Sequence, residues 1–131
     1  MGDYTHINLR EDVDDQAPNF GLSPNIEARM ARVPLAMENA GLSYQRIAPG
    51  FRVPFGHKHN NQEEVYVLVS GSARIKLDDE IRELKQWDAV RVHRDTVRGF
   101  EGGDEGAEFI VIGAPNTGPG DADLIQDWWS D

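Results

Sequence analysis

Between Glu64 and Gly113 the chain repeats one pattern, a short run of β-branched, aromatic or alternating residues followed by a small cluster of Gly, Ser or Asp. That spacing leaves no room for helices of ordinary length and predicts strands joined by tight turns. Strands are expected over Glu64–Val69, Ala73–Leu77, Glu80–Leu84, Asp88–Val92, Val97–Glu101 and Ala107–Gly113. Turns are expected at Ser70-Gly71-Ser72 and Asp78-Asp79, and a hairpin loop over Gly102–Gly106. Upstream, Glu, Ala, Arg and Met between residues 26 and 40 also favour helix, but Pro34 spoils a long one. Strands over Ala28–Arg32 and Leu42–Ala48 are the better reading, with a turn near Asn39–Gly41 and a stop at Pro49-Gly50. Seven or eight strands with little helix predict an all-β antiparallel sandwich or barrel, of which the jelly roll is one form.

The flanks differ in character. Residues 1–25 carry an acidic cluster at Glu11, Asp12, Asp14 and Asp15, then Pro18, Gly21 and Pro24, and are expected to form an irregular arm that covers an edge strand. Residues 26–115 form the expected barrel. Residues 116–131 form a tail of loop composition up to Asp123, ending in Leu124, Ile125, Trp128 and Trp129, and the tail is expected to pack on the barrel or on a partner subunit. A length of 131 residues without an internal repeat fits one domain. The formal net charge of −10 disfavours nucleic acid and anionic membranes as partners. No apolar run approaches the roughly 20 residues of a membrane span. The N-terminus lacks a basic start followed by an apolar stretch, so a cytoplasmic location is expected. With no cysteine, a bound metal must use imidazole and carboxylate ligands.

Such ligands occur together. His57 and His59 are two residues apart, so on an extended backbone both imidazoles point to one face. Glu64 opens the next strand, with Tyr66 and Leu68 on its face by parity and Glu63 on the other. If the two strands are neighbours, two imidazoles and a carboxylate converge. That set suits Fe(II), Mn(II), Ni(II) or Zn(II) and leaves coordination positions open for substrate or water. Tyr44 and Arg46 share a face on the preceding strand, and an inward Arg46 would clamp an anion, although an exposed strand arginine fits the pattern equally well.

The stretch from Gly50 to Gly71 resembles the first motif of the cupins: His57-x-His59, four residues, Glu64, six residues, Gly71, with Gly50 one residue further upstream than the strict pattern. The family's second motif is degraded. Aligned on it, Trp87 stands for the first glycine, His93 for the proline, Asp95 for the second glycine, Arg98 for the ligand histidine and Gly102 for the asparagine. The resemblance spans roughly residues 42–115. It implies a cupin-type antiparallel β-barrel (jelly roll) with a divalent transition metal on His57, His59 and Glu64, and a homodimer. An arginine has no lone pair for a metal. Three arrangements are therefore open: a three-ligand metal with Arg98 turned aside or neutralising an anion, a metal-free barrel in which Arg98 pairs with Glu64, or His93 as a substitute ligand. The implied function is a metal-dependent oxygenase or isomerase for a small polar or anionic compound, bound by Arg98, Arg46, Tyr44, Tyr66 and Phe100. The alternative is a non-catalytic barrel that binds a small molecule as a sensor or vestigial enzyme.

Overall fold

The fold was analysed in a computed structural model, which describes residues 2–116 and 121–130. The parts of the expected arm and tail at residues 1, 117–120 and 131 lie outside the described residues. Among the described residues a single curled antiparallel sheet contains eight strands: β1 (Ile26–Met30), β2 (Gly41–Ile47), β3 (Gly56–His59), β4 (Glu63–Leu77), β5 (Glu80–Lys85), β6 (Ala89–Val92), β7 (Arg98–Ala114) and β8 (Ala122–Ile125). The one helical element among the described residues is a 3-10 turn over Ala17–Phe20. The all-β, jelly-roll expectation is met.

The long strands β4 and β7 organise the sheet. They pair from Glu63↔Ala114 to Leu77↔Arg98, with register shifts between Leu68 and Ser70 and between Gly71 and Ala73. The expected turn at Ser70–Ser72 and the expected hairpin loop at Gly102–Gly106 are both corrected here, because β4 and β7 run on through them, with a bulge between Gly71↔Ala107 and Ala73↔Gly102 in which residues 103–106 have no β4 partner. Gly71 and Gly106 adopt φ of 84° and 77°. A side chain on Gly71 would place its Cβ 2.0 Å from the Gly106 carbonyl oxygen. Glycine therefore lets two paired strands bulge and bend together without ending them. The true reversal lies at Asp78-Asp79, between β4 and β5, where Asp78 has φ 51°. β1 pairs with β2, β2 with β7, and β6 with the first half of β4.

Parity sends Tyr66, Leu68, Ile75, Phe100, Phe109 and Val111 into the core. Phe100 lies 4.8 Å from Tyr66 in a tilted contact and 5.3 Å from Phe109 edge to face between ring centroids, and Tyr66 also meets Phe109 edge to face, so three aromatics pack together in the core. The tail adds a strand the sequence pattern did not announce: β8 pairs with β3 in the register Gly56↔Ile125 to His59↔Ala122. Two tryptophans anchor it. Trp128 lies flat on Gly56 and Gly99, where any Cβ would come within 2.8 and 2.6 Å of its ring. Trp129 donates its indole N–H to the Val53 carbonyl at 2.9 Å, with the Arg52 guanidinium 4.3 Å above the ring.

Candidate metal centre

His57 and His59 stand on β3 with ring centroids 5.3 Å apart, on one face as strand parity requires. Glu64 begins β4. The two strands are not ladder neighbours, yet the three side chains converge all the same. β3 pairs instead with β7, at His57↔Arg98, and with β8. The short link of residues 60–62 turns the chain so that the three side chains meet across the barrel. Ligand atoms of His57, His59 and Glu64 all lie within 4.8 Å of one another. Glu64 Oε1 is 3.0 Å from His59 Nε2 and 3.6 Å from His57 Nε2. Atoms bound about 2.1 Å from a common ion stand roughly 3.0–3.5 Å apart, so the spacing fits a shared metal.

The donor chemistry fits as well. His59 Nε2 is buried and makes no hydrogen bond of acceptable geometry, although it faces Glu64. Its other nitrogen, Nδ1, lies 3.0 Å from Asp121 Oδ2. A buried imidazole nitrogen left without a partner, beside a second imidazole and a carboxylate, suits a metal ligand. Burial lowers the pKa of His57 and holds it neutral, as a ligand must be. On His59 burial also opposes charge, but the Glu64 carboxylate 3.0 Å from Nε2 outweighs it and raises the pKa. For Glu64, burial opposes ionisation, and the surrounding donors from His57, His59 and Tyr66 overcome it, leaving the carboxyl ionised far below its usual range.

Tyr66 is buried below this group and donates its hydroxyl to Glu64 Oε1. Burial, then the Glu64 charge, push its pKa well above the ordinary value and keep the proton on the phenol. Arg98 has no exposed surface. Its guanidinium donates to the carbonyls of Thr96 (3.0 Å), His57 (3.3 Å) and His93 (3.5 Å), with Nη2 3.8 Å from Glu64 Oε1. It is a fixed charge behind the site and does not line the cavity in front.

That cavity encloses about 560 Å³ and reaches from His57, His59 and Glu64 along the inner faces of β1 and β2. Apolar groups dominate its walls, among them Leu22, Ile26, Ile47, Val53, Phe100 and Phe109. Tyr66 and Phe100, expected at the binding site, line it. Tyr44 does not. The inward face of β2 carries Ser43, Gln45 and Ile47, while Tyr44 lies under the N-terminal arm, donating to Glu108 Oε1 at 2.6 Å with Arg10 5.6 Å from its ring. Arg46 reaches the cavity rim, but its guanidinium is held by Glu27 Oε1 (3.2 Å) and the Pro24 carbonyl (3.1 Å), so it is not the free anion clamp expected. His93 is also displaced from the site: its half-exposed ring accepts the Asp95 backbone N–H at 3.1 Å and offers nothing to Glu64.

Asp121 is the residue that sequence reasoning missed. It sits in a segment of loop composition, far along the chain from the histidines, and only the pairing of β8 with β3 brings it to His59.

No family model matches the chain, and no curated protein does. Solved structures do match. A cupin protein from Bacteroides fragilis is similar over 88% of this chain and 86% of its own, with 25% identity and a TM-score of 0.71. KdgF from Halomonas matches over 88% and 96%, with 20% identity and a TM-score of 0.67. Oxalate decarboxylase from Bacillus subtilis matches over 94% of this chain and 33% of its own, with 20% identity and a TM-score of 0.76. With its curled eight-stranded antiparallel sheet, the chain has the double-stranded β-helix fold and belongs to the cupin superfamily.

Proposed function

We propose that this cupin is a metal-dependent enzyme acting on a small molecule whose apolar body fills the barrel cavity and whose polar end meets the metal. The observation that carries this reading is the placement of three convergent ligand atoms at the wall of a partly open cavity of about 560 Å³, the size of a small-molecule site. His57, His59 and Glu64 would hold the ion. An Fe, Mn, Ni or Zn ion bound there supplies a Lewis acid with open positions for substrate, which suits oxygenase or isomerase chemistry. The chain's own residues then divide the remaining work. Tyr66 holds a proton on its phenol beside Glu64, and Phe100 and Phe109 exclude water from the inner wall. With the Arg98 and Arg46 guanidinium groups engaged by carbonyls and Glu27, a neutral or weakly polar substrate suits the cavity better than a strongly anionic one.

A metal-free binding barrel is the second reading. It is favoured by the Arg98 guanidinium 3.8 Å from Glu64, which supplies a positive charge where a fourth ligand would otherwise stand. Elemental analysis separates the two, applied to untagged protein reconstituted with Fe, Mn, Ni and Zn beside the His57→Ala, His59→Ala double variant. Near-stoichiometric metal that disappears in the variant supports the enzyme. Wild-type protein that retains none of the four metals leaves the Arg98–Glu64 pair as the better account.

A further inference from the structure

Asp121 is bound more closely than a loop aspartate needs to be. Its Oδ1 accepts the backbone N–H and the side-chain amide of Asn61, each at 3.0 Å, and its Oδ2 accepts the Gln62 N–H at 3.3 Å. Oδ2 also lies 3.0 Å from His59 Nδ1. With donors on both oxygens, the carboxyl has no place for a proton of its own, so it stands ionised and can only accept. The hydrogen between Asp121 and His59 must then sit on Nδ1. On a neutral ring the lone pair then lies on Nε2, the buried atom that faces Glu64 Oε1 at 3.0 Å without forming an aligned hydrogen bond to it.

We infer that Asp121 is a positioning residue of the metal centre, which fixes His59 as the Nδ1–H tautomer and turns its Nε2 lone pair toward His57 and Glu64. Carboxylates bonded to the far nitrogen of a ligand histidine orient the ring and raise its basicity. Here the carboxylate arrives from the C-terminal tail. Pairing of β8 with β3 sets His59 opposite Ala122, the neighbour of Asp121, and Trp128 and Trp129 clamp the same tail to the barrel. The tail thus becomes part of the site. The inference rests on the metal reading for its purpose, but the tautomer itself can be read without metal.

The test uses the full chain with ¹⁵N-labelled histidine, metal-free, at a pH where both imidazoles are neutral, as wild type and as Asp121→Asn. Asparagine can keep its oxygen toward the two Asn61 donors while presenting an amide N–H to His59 in the place of Oδ2, giving up the longer Gln62 contact, which reverses the demand on the ring. Wild type is expected to show His59 as Nδ1–H and D121N as Nε2–H. Competition against a chromophoric chelator should show D121N binding Zn(II) and Co(II) about 10- to 100-fold more weakly. A wild-type His59 in the Nε2–H form overturns the inference. So does a D121N protein that loses affinity with its tautomer unchanged, since that pattern marks a merely structural role. Should wild type bind no metal at all, the functional reading fails, while the tautomer measurement still decides what Asp121 does.

Discussion

Four side chains converge on a single oxygen, Glu64 Oε1: the Tyr66 hydroxyl, His59 Nε2 at 3.0 Å, His57 Nε2 at 3.6 Å and Arg98 Nη2 at 3.8 Å. Three of these suit a metal centre, and the fourth opposes one, because a buried guanidinium repels a cation and has no lone pair to offer. Replacing Arg98 with histidine removes the repulsion and adds a donor beside the triad. R98H is expected to bind Zn(II) or Co(II) about tenfold tighter or more, a gain of roughly 1.4 kcal/mol. The metal-free form should lose about 3 kcal/mol of stability, since Glu64 and three carbonyls lose their donor. Chelator competition and thermal melts check the two effects. Unchanged affinity would show that residue 98 does not belong to the site. The sequence alone supported the His57, His59 and Glu64 group because strand parity and residue type act together there. It could not assign Tyr44 and Arg46, because parity shows that two residues share a face without saying which face. Here the arm, through Arg10, and Glu27 claim that face.

Among the elements, β4 and β7 do the most to shape the cavity, and they do so by bending at glycine. Gly71→Ala combines a positive φ with a Cβ directed at the Gly106 carbonyl, two faults that no rotamer can relieve. Destabilisation of roughly 3 kcal/mol or more is expected in chemical denaturation. A loss below about 1 kcal/mol would mean that the bend tolerates a side chain after all. The same glycines explain why the sequence locates β5 and β6 to within a residue but misplaces the ends at Ser70–Ser72 and Gly102–Gly106. A Gly-rich cluster between apolar runs has one composition whether the chain reverses or bulges, and only the cross-strand partner decides which occurs. β8 was illegible for another reason. Four residues, ADLI, give no measurable alternation, and their strand character comes entirely from the β3 edge they pair with.

At the scale of the whole molecule, the curled sheet surrounds a cavity whose walls are mainly apolar and whose inner polar corner is the His57, His59 and Glu64 group. The arm and tail complete that enclosure from opposite ends of the chain. Ala17 and Leu22 of the arm line the cavity, and the tail contributes Leu124 together with the Asp121 contact to His59. Fold class was legible in the sequence because short strands, tight turns and the first cupin motif point the same way. Enclosure was not, since it depends on flanks without periodicity of their own. The central claim is that the three side chains hold a divalent ion at this corner. It is tested most directly by crystals soaked in Zn(II) or Mn(II), with diffraction recorded on both sides of the metal's absorption edge. The account predicts one strong anomalous peak about 2.1 Å from His57 Nε2, His59 Nε2 and Glu64 Oε1. No peak there, with the Arg98 guanidinium moved into direct contact with Glu64, would contradict it.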